Sequence, residues 1–285
     1  MSLTPYVHVD EPLAGAVAGA SIQLGRADAH HLARVLRLAD GASIEVADGA
    51  GAHAPATLVG DAVELAAAPD VQARAAPRIV VAQALNKGRK FDDVLRQVGE
   101  LGADAVIPLR SERSVVKLDA AKASRVVERW QAVARATAEQ SRQPFRLRVA
   151  PVTDIAQLAR AIDAVHAEDV SAGEDAPGSA ATDSAGAGGV DDARGGGAVD
   201  AGAVADLRVV AVVGAPALPT RLQAVVGRVR RVTVAVGPEG GFSGRDLAGF
   251  DAAGFVPAGM GPTVLRTEHA APTAVAVIAA MLGRW

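Results

Sequence analysis

From residue 78 to the end, short and nearly continuous apolar runs alternate with segments of helical period. "RIVVAQAL", "AVIPL", "FRLRVAP", "LRVVAVVGAP", "RRVTVAVGPEGG" and "GFVPAG" read as strands, while residues 91–101, 120–140, 154–165, 219–227, 245–253 and 268–282 read as the helices between them. Strands apolar on both faces, joined by helical crossovers, leave few architectures open. The expectation is an α/β fold: a largely parallel sheet with helices packed on it.

The preceding residues follow a different pattern. Short strands at residues 6–9, 21–24 and 43–46, with alternating pieces near Leu58 and Val63, are punctuated by Gly and Asp. Within them "RADAHHLARVLRLADG" has helical spacing, with Leu32, Val35, Leu36 and Leu38 apolar and Gly41 as its stop. A small, mostly β domain over residues 1–73 and an α/β domain over 74–285 are expected. Residues 167–206, rich in Gly, Ala, Ser and Asp, hold almost nothing large enough to anchor a core and read as a flexible acidic surface insertion whose shortening leaves function intact.

The formal charge of -3 conceals an uneven distribution. Residues 71–150 carry 16 Lys and Arg against 8 Asp and Glu, whereas residues 167–206 carry nine acids and one base, so the rest of the chain stands at +5. A basic face masked by an acidic segment leaves polyanion binding open. There is no cysteine, which excludes disulfides, thiolate metal sites and cysteine nucleophiles. Without a signal-like start or an apolar run of about 18 residues, the expectation is a soluble, cytoplasmic protein.

Two loops stand out. "VAVGPEGGFSGRDL" leaves an apolar strand through four glycines, a proline and a carboxylate; "MGPTVLRTEHAA" leaves another and enters a helix, with Thr267 placed as its N-cap. Ligands of open α/β sheets sit outside the carboxyl ends of strands, and glycines let main chain close around them. A tight connecting turn explains the first loop's composition equally well. Its spacing is neither G-x-G-x-x-G nor a phosphate loop, so a dinucleotide dehydrogenase is disfavoured. Arg266 interrupts an apolar neighbourhood and is either paired structurally or aimed at a ligand. His30 and His31 are adjacent rather than four apart, which suits packing or RNA contact and gives no reason to expect a metal.

Together "GPEGGFS" and "LRTEHAA" resemble the two C-terminal motifs of the RsmE family, SPOUT-class methyltransferases of 16S ribosomal RNA. "HHLARVLRLADG", "KGRKFDDVLRQVGELGADAVIPLRSERSVVK" and "RWQAVARATAEQSRQ" match in the same order, so the resemblance spans the chain outside residues 167–206. It implies an N-terminal PUA-like β-barrel domain for RNA binding and a C-terminal SPOUT α/β-knot domain threaded into a trefoil knot. It implies S-adenosylmethionine as cofactor, with Val236, Gly237, Gly240, Gly241, Met260, Gly261, Val264 and Leu265 lining its site and Gly214 contributing. It also implies a homodimer.

The activity implied is methylation of N3 of one uridine in the 16S rRNA of the 30S subunit. Arg266 is the catalytic candidate, stabilising negative charge on the uracil oxygens, with Glu239 and Glu268 as possible proton acceptors. Arg34, Arg37, Lys87, Arg89, Lys90, Arg113 and Arg142 are the RNA-binding candidates. The alternative is an RNA-binding scaffold of the same fold without methyl transfer. Where the family often has an acidic residue this chain has "GAPALP", and His269 stands in place of the usual threonine.

Overall fold

Two sheets follow one another along the chain in the computed structural model, which describes residues 4–114, 116, 118–174 and 206–285. The first is built from β1 (Tyr6–His8), β2 (Ser21–Gln23), β3 (Ser43–Ala47), β4 (Ala52–Val59), β5 (Ala62–Leu65) and β6 (Asp70–Val71). Their order is β1-β3-β4-β5-β2, with β6 on β4. Alternate residues of β4 are buried, as one core-facing side of a strand requires. Ile44, Val46, Ala54, Leu58 and Val63 close this core over Leu13 and Leu32.

The helical segment of this region departs from its sequence pattern. α1 (Arg26–His30) runs directly into a π-helical turn, His31–Val35, in which Leu36 N–H donates to His31 C=O. The wider turn breaks the 3.6-residue stripe, so Leu32 is buried while Val35 and Leu36 remain 60% and 44% exposed. His30 and His31 are exposed too, which removes packing as their role.

The second sheet contains β7 (Arg78–Ala84), β8 (Ala105–Arg110), β9 (Arg148–Val149), β10 (Thr153–Asp154), β11 (Asp206–Ala211), β12 (Arg231–Val236) and β13 (Val256–Ala258). Every pairing is parallel, in the order β10-β8-β7-β12-β11-β13, with β9 also on β8. The helices are α2 (Lys90–Glu100), α3 (Ala120–Gln140), α4 (Leu158–Glu174), α5 (Leu218–Gln223), α6 (Gly244–Ala252) and α7 (Thr267–Met281). Ile79 and Val81 point into the core with α2, α3 and α7; Val80 and Ala82 point into the other, with α4 and α6. Both faces are covered, which explains why the strands read as unbroken apolar runs.

Three expectations need adjustment. The strand expected over 145–151 pairs only at Arg148–Val149, because Pro151 lacks the N–H that would continue the ladder and Phe145 turns to bridge Gly49 and Ala50. Residues 167–174, expected in the flexible insertion, extend α4, and Asp206 opens β11; residues 175–205 lie outside the described residues. Thr267 is not the N-cap of α7: Arg266 is, and Thr267 begins the helix.

α3 and the residues after it join the two sheets. His8 is fully buried; Arg146 Nε–H donates to its Nδ1 at 2.9 Å, so Nε2–H donates to Gln143 C=O at 2.9 Å. Arg135 donates to His8 C=O, to Asp10 at 2.9 Å and to Asp28 at 2.7 Å, and Glu139 accepts from His8 N–H at 3.1 Å. Arg142 reaches Glu45 and stacks over Tyr6 at 5.1 Å. Burial, aided by the neighbouring Arg146 and Arg135 and opposed by Gln143 C=O, pushes His8 down to about 4. Its folded value lies below the unfolded one, so its stabilisation is complete above pH ~6.5 and fades as pH falls towards 4. Urea midpoints measured from pH 7.5 to 5 should fall, by on the order of 2 kcal/mol in unfolding free energy from this group. His8→Gln should be less stable at pH 7.5 and show a shallower slope.

Candidate active site

Parallel strands deliver their following loops to one edge, so residues 85–89, 111–114, 212–217, 237–243 and 259–266 meet at the carboxyl end of the sheet. β12 occupies a central place there. After it Pro238 is buried, Gly241 N–H donates back to Pro238 C=O at 2.8 Å, and Gly241 takes φ +67°, where a side chain is strained. Ser243 and Asp246 exchange side-chain-to-backbone hydrogen bonds of 3.0 Å each as a capping box on α6, fixing where the loop ends.

The second loop is pinned to the first from beneath. Thr267 Oγ1–H donates to Gly237 C=O, and Asn86 Nδ2 lies 3.5 Å from the same hydroxyl. Gln83, beside Val236 in the ladder, donates to Asn86 Oδ1 at 3.1 Å. Gln83, Asn86 and Thr267 are all buried, forming a polar thread under the loops. None of the three is among the site residues expected from sequence, although a glutamine in "VVAQAL" with an asparagine just after it was a visible signal.

A third wall comes from residues 212–217. Leu218 N–H donates to Gly259 C=O at 2.9 Å and Gly259 N–H to Pro216 C=O at 2.8 Å. The backbones approach so closely that a Cβ on Gly259 would stand 2.6 Å from Ala215 C=O. Between this wall and α7 lies an apolar cavity of about 150 Å³, lined by Ala217, Leu218, Met260, Gly261, Ala274 and Val277. A larger groove of about 770 Å³ between α3, β9 and α4 touches none of the glycine loops.

The expected cofactor residues divide by what they present. Gly237, Gly240 and Gly241 belong to the first loop, Met260, Gly261, Val264 and Leu265 to the second, and Gly214 to the turn after β11 with φ +79°. Val264 is 76% exposed, whereas the side chains of Val236 and Leu265 pack into the core, leaving their backbone to face the loops.

Charged groups gather on the rim. Lys90 Nζ lies 3.1 Å from Glu239 and 3.5 Å from Glu268, and Arg113 donates to Gly240 C=O at 2.9 Å. Glu268 is held below the usual carboxylate range by its own backbone N–H, against a push upward from burial, with Lys90 assisting. Lys90 is raised, chiefly by its hydrogen bond to Glu239. Arg266 is exposed, and among the described residues its guanidinium has no hydrogen-bond or ion-pair partner. Arg34, Arg37, Lys87 and Arg89 are exposed, while Arg142 is engaged between the sheets. His269 is exposed, and no group of three metal-ligating side chains occurs among the described residues.

This arrangement of loops on a parallel sheet, preceded by a small β domain, is that of a recognised class: the chain belongs to the RNA methyltransferase domain family, whose profile matches residues 74–182 and 198–279. An RNA methyltransferase PUA domain profile matches residues 24–61. Ribosomal RNA small subunit methyltransferase E of Mycobacterium bovis is 27% identical over 264 residues, covering 90% of this chain and 84% of that protein. The same-named enzyme of Neisseria gonorrhoeae, in a crystal structure bound to S-adenosyl methionine, superposes with a TM-score of 0.71 at 21% identity over 98% of both chains. A methyltransferase of Legionella pneumophila, solved in complex with the cofactor SAM, gives 0.72 at 23% identity over 98% of both. The RsmE resemblance, the α/β fold of the RNA methyltransferase domain and the N-terminal PUA-like domain therefore stand.

Proposed function

We propose that the protein transfers a methyl group from S-adenosylmethionine to N3 of a uridine in the 16S rRNA of the small ribosomal subunit. The observation that carries this reading is the convergence of the loops after β11, β12 and β13 on one sheet edge, with an apolar cavity between residues 217–219, residues 259–261 and α7, and with Arg266 exposed at the entry to α7 and without a partner among the described residues. The cavity suits the cofactor's flat, uncharged adenine ring, and the exposed residues 239–241 and 261–264 offer main chain to its polar groups. When bound, the cofactor supplies an electrophilic methyl group on a sulfonium that departs readily.

The chain's own residues then have two tasks. The loops hold the uracil edge in line, the positional contribution that alignment makes to a bimolecular reaction. Arg266 donates charge-assisted hydrogen bonds to the uracil oxygens, which grow more negative as N3 loses its proton. Glu268, ionised and depressed, is a weak proton acceptor, so the proton passes to water or to Glu239. Arg34, Arg37, Lys87 and Arg89 are exposed and, among the described residues, carry no ion pair, which leaves their guanidinium and ammonium groups to RNA phosphates. This substrate places the protein in the cytoplasm; no described helix is long and apolar enough to cross a membrane.

Incubation with unmodified 30S subunits and methyl-labelled cofactor tests the reading. Label mapped to one uracil N3 is expected; RNA binding without label would identify the protein as a scaffold. A homodimer is also part of the proposal, supported by the exposed apolar side chains Val213, Val226, Val264 and Trp285 and by the apolar composition of α7. Light scattering at micromolar concentration should give twice the chain mass, and a monomer would overturn it.

A further inference from the structure

The geometry points to Lys90 as a positioning residue that fixes the spacing of the two glycine loops, an inference that rests on the reading of those loops as the cofactor site. Its Nζ is the meeting point of Glu239, inside the first loop, and Glu268, in the first turn after the second. A separate neutral link lies beneath it. Asn86, four residues earlier, approaches Thr267 Oγ1, and that hydroxyl holds Gly237 C=O. Both links therefore arise from the residues that follow β7, and both tie residues 237–239 to residues 267–268. The segment from Gln83 to Lys90 acts as a brace, with a buried amide on its inner side and an ammonium on its outer side.

The charge arithmetic gives the brace its consequence. Two carboxylates that share one Nζ at 3.1 and 3.5 Å stand less than about 7 Å apart, where like charges repel unless a cation lies between them. Without Lys90, loop 237–243 and the start of α7 are pushed apart. Arg266 stands two residues before Glu268, so the displacement reaches the reacting edge as well as the cradle. Lys90 also occurs in "KGRK", a run of bases that reads as an RNA contact. An RNA-phosphate role and a bracing role differ in what they move: the first changes affinity for RNA and its salt dependence, the second changes affinity for the small cofactor with no RNA present.

Calorimetric titration of S-adenosylmethionine into the full chain separates them. Lys90→Met keeps the aliphatic stem and removes the charge; its cofactor Kd should rise about three- to tenfold, as expected for two partly exposed ion pairs. Lys90→Arg should stay within about twofold of the parent, since it restores the charge. The diagnostic variant is Lys90→Met combined with Glu268→Gln. With one carboxylate neutralised the repulsion disappears, and the double variant should bind more tightly than Lys90→Met alone, a rescue that neither a phosphate contact nor a generic loss of structure produces. An unchanged cofactor Kd in Lys90→Met, with weaker and less salt-dependent 30S binding, overturns the brace and assigns Lys90 to RNA. Absence of rescue in the double variant also overturns it. If Lys90→Met loses its fold, Lys90→Gln carries the same comparison. Failure of the parent chain to bind cofactor removes instead the cofactor-site reading on which the brace rests.

Discussion

Arg266→Lys should lower the single-turnover methylation rate by about 100-fold or more while leaving cofactor affinity within a small factor of the parent. Arg266 is the N-cap residue of α7 and makes no side-chain cap bond, so its guanidinium contributes nothing visible to holding the loop. It is exposed and has no described partner, which leaves its donors available to a substrate. A guanidinium presents two coplanar N–H groups to the oxygens flanking N3; an ammonium presents a point charge that cannot match both. If those bonds strengthen as the N3 proton leaves, their loss appears in the rate and not in ground-state binding. Single-turnover assays at saturating cofactor and 30S, beside cofactor titrations, measure both quantities. A near-normal rate with collapsed cofactor affinity would move Arg266 from the uracil to the cofactor.

Gly259→Ala should have the second large effect, for a steric reason. The added Cβ would lie 2.6 Å from Ala215 C=O, a backbone atom that cannot rotate away. Hydrogen bonds from Leu218 N–H to Gly259 C=O and from Gly259 N–H to Pro216 C=O hold the two segments together on either side of the clash. The wall over residues 214–218 must therefore retreat from residues 259–261, opening the apolar cavity they share. Overpacking of this kind costs about 1–3 kcal/mol, and the same strain released into the site corresponds to roughly a ten- to hundredfold weaker cofactor Kd. Gly244→Ala is the matched control: its Cβ meets nothing within 4 Å at the first position of α6, so both stability and Kd should hold. Equal behaviour of the two variants in thermal melts and titrations would contradict the packing argument.

What the sequence made legible was whatever depends on local period or on glycine. The alternation of "RIVVAQAL" and "RRVTVAV" with helical segments predicts a parallel sheet because those strands are buried on both faces, and β7 and β12 do lie side by side in it. α3 falls on the expected residues 120–140 because Asp119 caps it and an apolar stripe fills it. The π turn at His31–Val35 was not legible, since one extra residue per turn is a tertiary accommodation that leaves composition unchanged. Nor were the partners of the charged residues. Lys90 and Arg142 look alike as surface bases in a basic stretch, yet one sits between two loop carboxylates and the other between two sheets. Sequence fixes a charge; only folding decides which opposite charge is near. Thr267 shows the same limit, because a threonine before Glu268 fits an N-cap equally well as a pin to a carbonyl thirty residues back.

The direction of α4 has a practical side. It leaves β10 at the loop edge and travels back along the sheet, so that Val165 C=O accepts from Arg148 at 2.6 Å and Asp163 lies 3.5 Å from Arg208, near the strands' amino ends. The chain re-enters at Asp206, opposite Arg231, the first residue of β12, roughly 20 Å of strand away from the glycine loops. The family profile itself leaves residues 183–197 unmatched. Length and composition at this point are thus expected to leave the spacing of the glycine loops unchanged. The junction is therefore the place to try a graft: an affinity handle or fluorescent reporter spliced there should ride at the end of the sheet opposite the glycine loops and leave methylation unchanged.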